Sequence, residues 1–140
     1  FSFPKFGYSL RTVDTTSHTR ILDKFDSAVM GAMEGILGAP LHPAQRSQSS
    51  LPVHSGGFGL RSTAVHGPGA YLASLGATAV LVQEIRRKQE APQALEAGQA
   101  LQNLNSQLGD HLTYEEVSTM TQRQISVLVD VEASLKLMAE

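Results

Sequence analysis

The side chains able to do chemistry in this sequence are five histidines, eleven lysines and arginines, and thirteen carboxylates, with no cysteine. Without cysteine the sequence can form no disulfide, no thiolate metal site and no thiol nucleophile. His18, His42, His54, His66 and His111 each stand alone; no pair has His-x-x-x-His spacing, and none sits beside a carboxylate at ligand spacing. A structural or catalytic metal needs three or four converging donors. No metal and no cofactor are therefore expected, and the histidines read as surface or loop residues. The carboxylates read as mostly solvated, and no two aspartates are adjacent. Among the cations only Arg86, Arg87 and Lys88 are contiguous. At a helix end they can meet the helix's own carbonyls or a phosphate. Arg11, Arg20, Lys24 and Arg61 are scattered.

The net charge of −2 is not that of a free-standing nucleic-acid binder. The sign is uneven, with six Lys/Arg against four Asp/Glu in residues 1–70 and five against nine in residues 71–140. A polyanion would meet the first half or the cluster at 86–88. In His54-Ser55-Gly56-Gly57 the glycines could face backbone N–H groups toward an oxyanion. However, the sequence has no Gly-x-Ser-x-Gly elbow and no alternation of strands and helices to hold one. Nor is it a Walker loop or a dinucleotide fingerprint. The segment reads as a shaped turn, and the chain as carrying no complete catalytic site.

The elements that position these residues are helical. At 140 residues and 41% apolar content the chain fits one domain. From His18 onward Ile21, Leu22, Phe25, Val29, Met33, Ile36 and Leu37 trace one helical stripe, which Gly38 and Pro40 stop. Pro43 can open a short helix in residues 41–50. Leu51, Pro52, Gly56, Gly57 and Gly59 make a central turn, at least one glycine of which should have positive φ, and Ser62 can cap the next helix. Residues 62–89 look helical but broken at Gly67-Pro68-Gly69. The part after the break, with Leu72, Leu75, Val80, Val82 and Ile85, is apolar on nearly every side and reads as buried. Its best apolar run, residues 70–82, is too short for a membrane span. Pro92 can open a helix with the stripe Leu95, Leu101, Leu104 and Leu108, closed by Gly109. Thr113 and Glu116 fit a capping box. A last helix carries Ile125, Leu128, Val129, Leu135 and Met138. The expected fold is all-α, an irregular bundle of about five to seven helices with a glycine-rich loop in the middle. With neither a signal peptide nor a span, the chain reads as soluble and intracellular, cytoplasmic or nuclear. Phe1, Phe3, Phe6 and Tyr8 bunch at the start, and we expect sequence upstream to cover them.

As a string the chain resembles the region downstream of the polymerase active site in reverse transcriptases of non-LTR retrotransposons. The carriers are Tyr8-Ser9-Leu10-Arg11-Thr12-Val13, Phe25-Asp26-Ser27-Ala28-Val29 and Ile36-Leu37-Gly38. The most specific is Gln48-Ser49-Ser50-Leu51-Pro52-Val53-His54-Ser55-Gly56-Gly57-Phe58-Gly59-Leu60-Arg61-Ser62. Ala70-Tyr71-Leu72-Ala73-Ser74-Leu75 comes next, then Gln122-Arg123-Gln124-Ile125-Ser126 with Val129-Asp130. The likeness departs at Gly67-Pro68-Gly69 and at Phe58. It implies a helical fragment C-terminal to a palm: a thumb-like part over residues 1–50, the turn over 51–61 and a helical part over 62–140. The palm aspartates would lie upstream, so the chain would be no enzyme by itself. A thumb holds the template–primer duplex, RNA or DNA, through phosphates. By that likeness Arg11, Arg61, Arg86, Arg87 and Lys88 are candidate phosphate contacts, and Leu51, Pro52, Gly56, Gly57 and Gly59 are architectural. The other reading is a helical protein-interaction or scaffold domain, a decayed retroelement remnant that binds no nucleic acid.

Overall fold

The computed structural model describes residues 2–86 and 97–139, with side chains from residue 6. Among them are seven α-helices and no strand. These are α1 (Ser2–Thr12), α2 (Thr19–Leu37), α3 (Pro43–Ser50), α4 (Thr63–Ile85), α5 (Gly98–Leu108), α6 (Tyr114–Thr119) and α7 (Gln122–Ala139). Short 3-10 turns at Thr16–His18 and Val53–Ser55 lead into α2 and follow α3. The all-α expectation is met. Pro92, Leu95, Arg87 and Lys88 lie outside the described residues.

Helix α4 is the axis of the fold. On one side α1 and α2 close over it through Leu10, Leu22 and Ala70, with Phe6 and Ala64 at the margin. On the other, α5, α6 and α7 bury Leu72, Leu104, Val117, Ile125 and Val129 against it. Of the aromatic bunch at the start, Phe6 stacks on Phe25 of α2 with ring centroids 4.4 Å apart, while Tyr8 remains exposed.

The expected break at Gly67-Pro68-Gly69 does not occur, and α4 runs straight through Pro68. A proline there forgoes the bond to the Ala64 carbonyl and costs an isolated helix ~3 kcal/mol. Burial offsets that cost. Of residues 63–73, all but Ala64 and Val65 are buried. The two glycines let neighbours close in. A Cβ on Gly67 would stand 3.1 Å from Thr15 Oγ1, and one on Gly69 only 2.6 Å from Ile125 Cγ2. Farther along α4, a Cβ on Gly76 would overlap the backbone of Ser118 in α6. Local sequence marks a break where tertiary contact makes a seam.

The second half of α4 corrects the sequence reading in the other direction. Val80, Leu81 and Ile85 are 68%, 57% and 72% exposed. By length and composition α4 is the one helix among the described residues able to cross a bilayer, a possibility that counting uninterrupted apolar residues missed, and 44% of that stretch is buried within the fold. The α2 stripe is likewise only partly covered: Leu22 is buried, Phe25, Val29 and Met33 are half-buried, and Ile36 is 81% exposed.

Helix ends follow the sequence closely. Gly38 and Gly109 take left-handed conformations after α2 and α5, at φ 70° and 66°. Thr113 and Glu116 form the capping box of α6. A second box opens α7, where the Thr121 amide donates to Gln124 Oε1 at 2.8 Å and the Gln124 amide donates back to Thr121 Oγ1 at 3.3 Å.

Candidate functional site

The glycine-rich turn winds back over the end of α3. The amides of Phe58 and Leu60 both donate to the Ser49 carbonyl, and the Gly59 amide donates to the Leu51 carbonyl at 2.8 Å. Two of its glycines require what only glycine adopts freely, Gly56 at φ 79° and Gly59 at φ 69°. Gly57 is required for space, because a Cβ there would overlap the Leu51 carbonyl. Leu51 and Pro52 are buried beneath. The expectation that at least one glycine of the turn has positive φ is met by Gly56 and Gly59.

The turn delivers Arg61, Ser62 and Thr63 to the head of α4. There Ser62 Oγ accepts from the Val65 amide at 3.1 Å, the N-cap expected from sequence. Asp26, reaching across from α2, was not anticipated. Its Oδ1 accepts from the Thr63 amide at 2.8 Å and from Thr63 Oγ1 at 2.7 Å, and its Oδ2 from Ser62 Oγ at 2.6 Å. A carboxylate at a helix N-terminus also opposes the positive end of the helix dipole.

Arg61 turns toward α7, where its Nη2 meets Asp130 Oδ2 at 2.7 Å. The other oxygen of Asp130 is 3.5 Å from Nε2 of His66, a buried residue on α4. Two expectations are corrected here: His66 is neither surface nor loop, and Asp130 is not solvated. Burial, followed by the Arg61 charge, lowers the His66 pKa to about 4, against a smaller upward pull from Asp26. Burial raises the Asp130 pKa above the usual carboxylate value, outweighing the attraction of Arg61 and of His54.

Between the turn and α7 lies an open groove of about 1120 Å³. Arg11, from the end of α1, sits at its mouth with Nε donating to Gln122 Oε1 at 2.7 Å. Arg61, Arg123 and His54 also line it. Arg11 and Arg123 have no carboxylate at salt-bridge distance among the described residues, whereas the Arg61 charge is matched by Asp130. Farther along α7 the wall becomes apolar.

No family model matches the chain, and neither a curated protein nor a solved structure matches it significantly. The site is therefore read from its geometry.

Of the five candidate phosphate contacts, the fold brings Arg11 and Arg61 together. Arg86 caps the far end of α4, exposed and away from the groove. Arg123 and His54, which the sequence reading did not single out as contacts, also line the groove. Both lie inside the motifs that carry the resemblance, and nothing local distinguishes them from other exposed polar residues. Among the described residues no group of His, Asp and Glu could hold a metal ion. What the arrangement offers is binding chemistry: guanidinium donors at one end and an apolar wall at the other.

Proposed function

We propose that this chain is a non-catalytic helical module that positions a template–primer duplex for a reverse-transcriptase-like polymerase, using phosphate contacts at the mouth of the α7 groove. The observation that carries this reading is the convergence of Arg11, Arg61 and Arg123, from three distant parts of the chain, on one open groove. Guanidinium groups present rigid forks of donors that suit phosphate oxygens. Arg11 and Arg123 carry unbalanced charge and make the first contacts, and Arg61 joins if a phosphate draws it from Asp130. The upstream palm is the partner that supplies the metals and the chemistry. The sequence resemblance supports the same role.

The test is duplex binding followed by fluorescence anisotropy in a salt series. Two or three phosphate contacts weaken binding roughly 10- to 40-fold between 50 and 200 mM salt. Arg11→Glu with Arg123→Glu removes most of that binding. Arg86→Glu, Arg87→Glu and Lys88→Glu together measure whether the second basic cluster adds to it. Duplex affinity that ignores both salt and the Arg11/Arg123 double variant overturns the reading.

A specific observation favours a second reading, a helical protein-interaction module. Ile36 on α2, Ile85 on α4 and Met138 on α7 are 81%, 72% and 83% exposed, and each belongs to an apolar helical face. The apolar part of such binding depends little on salt.

A further inference from the structure

The far wall of the groove is the outer face of α7. Val127, Val131, Leu135 and Met138 succeed one another at intervals of four, four and three residues, a single stripe on a helix. They are 50%, 53%, 57% and 83% exposed, and all four line the groove opposite Leu51 and Pro52. The stripe runs about 16 Å, some three helical turns, at 1.5 Å per residue. A volume of about 1120 Å³ exceeds that of ordinary small-molecule sites, which run ~300–1,000 Å³. Length, volume and apolar lining match a groove that receives one amphipathic helix.

Charge selects the occupant. At the α7 N-terminal end stand Arg11 and Arg123, with no carboxylate at salt-bridge distance among the described residues. The one acid in the groove wall, Asp130, is already committed to Arg61 at 2.7 Å. A helix lying here therefore gains by placing carboxylates over Arg11 and Arg123 and aliphatic side chains over Val131, Leu135 and Met138. A second copy presenting this same face would bring only the committed Asp130, leaving both arginines unanswered. The stripe also forms the wall of a recess, so a flat lipid surface cannot follow it.

We infer that the α7 groove is a docking site for an acidic amphipathic helix of a protein partner. The inference rests on the protein-interaction reading above and is independent of the phosphate reading. The two occupants share Arg11 and Arg123, so duplex and helix exclude one another.

The experiment uses the chain with a fluorescein-labelled synthetic peptide of about 18 residues, some five helical turns, with leucines on one face and glutamates flanking them. A twin peptide carries lysine in place of glutamate. The glutamate peptide binds saturably, and the lysine twin binds at least about tenfold more weakly, a difference of ~1.4 kcal/mol. Leu135→Glu, at an exposed position, retains the helical circular dichroism of the parent and weakens the glutamate peptide at least about tenfold, as loss of a central anchor does. Leu135→Gln, which adds no charge to the groove, leaves duplex affinity unchanged, whereas Arg11→Glu with Arg123→Glu weakens both ligands. Three results overturn the inference: no binding of the glutamate peptide, equal binding of the twins, or indifference to Leu135→Glu. Sedimentation that shows self-association abolished by Leu135→Glu also overturns it, in favour of a second copy. If the peptide binds and the duplex does not, the phosphate reading alone falls.

Discussion

The first half of α4 and the outer face of α7 are both apolar helical surfaces, yet they meet different fates. Residues 63–73 of α4 are enclosed on two sides, by α1 and α2 and by α5, α6 and α7. The α7 face of Val127, Val131, Leu135 and Met138 lines an open groove and stays at least half exposed. The difference lies in the company the apolar residues keep. In α4 they are interleaved with Gly67, Gly69 and Gly76, whose missing side chains admit Leu10, Ile125 and the backbone of Ser118. On α7 the outer face carries bulky aliphatic groups with no such clearance. In α4 the glycines mark contact already made within the chain, whereas Gly31 and Gly35 of α2 have nothing close by. The bulky residues of α7 mark surface that the described residues leave open.

That contrast is easiest to break with a matched pair. Leu72→Ala removes a fully buried side chain of α4 and should cost about 2–5 kcal/mol in urea unfolding. Leu135→Ala on α7 should stay within about 0.5 kcal/mol. Equal losses would mean that the two faces are not differently covered.

Acidity sharpens the comparison at the seam between the two helices. His66 has a folded pKa of about 4, below its unfolded value of 6.5. Between those values the unfolded chain takes up the proton first. The stability is thus fully present above about pH 6.5 and is lost as pH falls toward 4, by at most ~3 kcal/mol. Asp130, whose pKa is raised by burial, works in the opposite sense, since the folded form holds its proton more readily. Denaturant titrations at about pH 7 and about pH 4.5, which bracket most of that change, measure the difference, and His66→Gln should flatten it.

Glycines provide the next contrast. Gly76→Ala forces a Cβ into the Ser118 backbone and should destabilise by about 1–3 kcal/mol. Gly31→Ala, inside α2 with nothing within 4 Å of the new Cβ, should stabilise by about 0.5–1 kcal/mol. Thermal unfolding of the two variants should move in opposite directions. A modest effect is expected at the turn. Gly59→Ala, at φ 69° in open space, should cost roughly 1 kcal/mol through backbone strain alone.

Helix existence was legible in the sequence because periodicity, glycine stops and capping boxes are local signals, and Gly38, Gly109, Ser62 and Thr113 behave as their types dictate. Burial was less legible. Residues 70–85 look uniformly apolar, and only packing with α5, α6 and α7 decides that Leu72 is inside and Val80 outside. Pro68 misled for the same reason, because the rule that stops a helix there describes an isolated segment. At the site, composition showed arginines but not which would meet. Arg61 and Asp130 are 69 positions apart, and Arg11 reaches Gln122 across 111. Arg123 becomes visible only once the end of α1 meets the start of α7 through Arg11 and Gln122.

The carboxylate of Asp26 fastens the middle of α2 to the head of α4. It grips the first turn of α4 from the middle of α2, and the rest of α2 runs on for about 16 Å beyond that grip. Beyond it Ile36 is 81% exposed, and Glu34 fastens this part of α2 to Arg46 of α3 at 2.6 Å. Loss of the Asp26 carboxylate would leave the Thr63 amide and hydroxyl without this acceptor, two residues after Arg61.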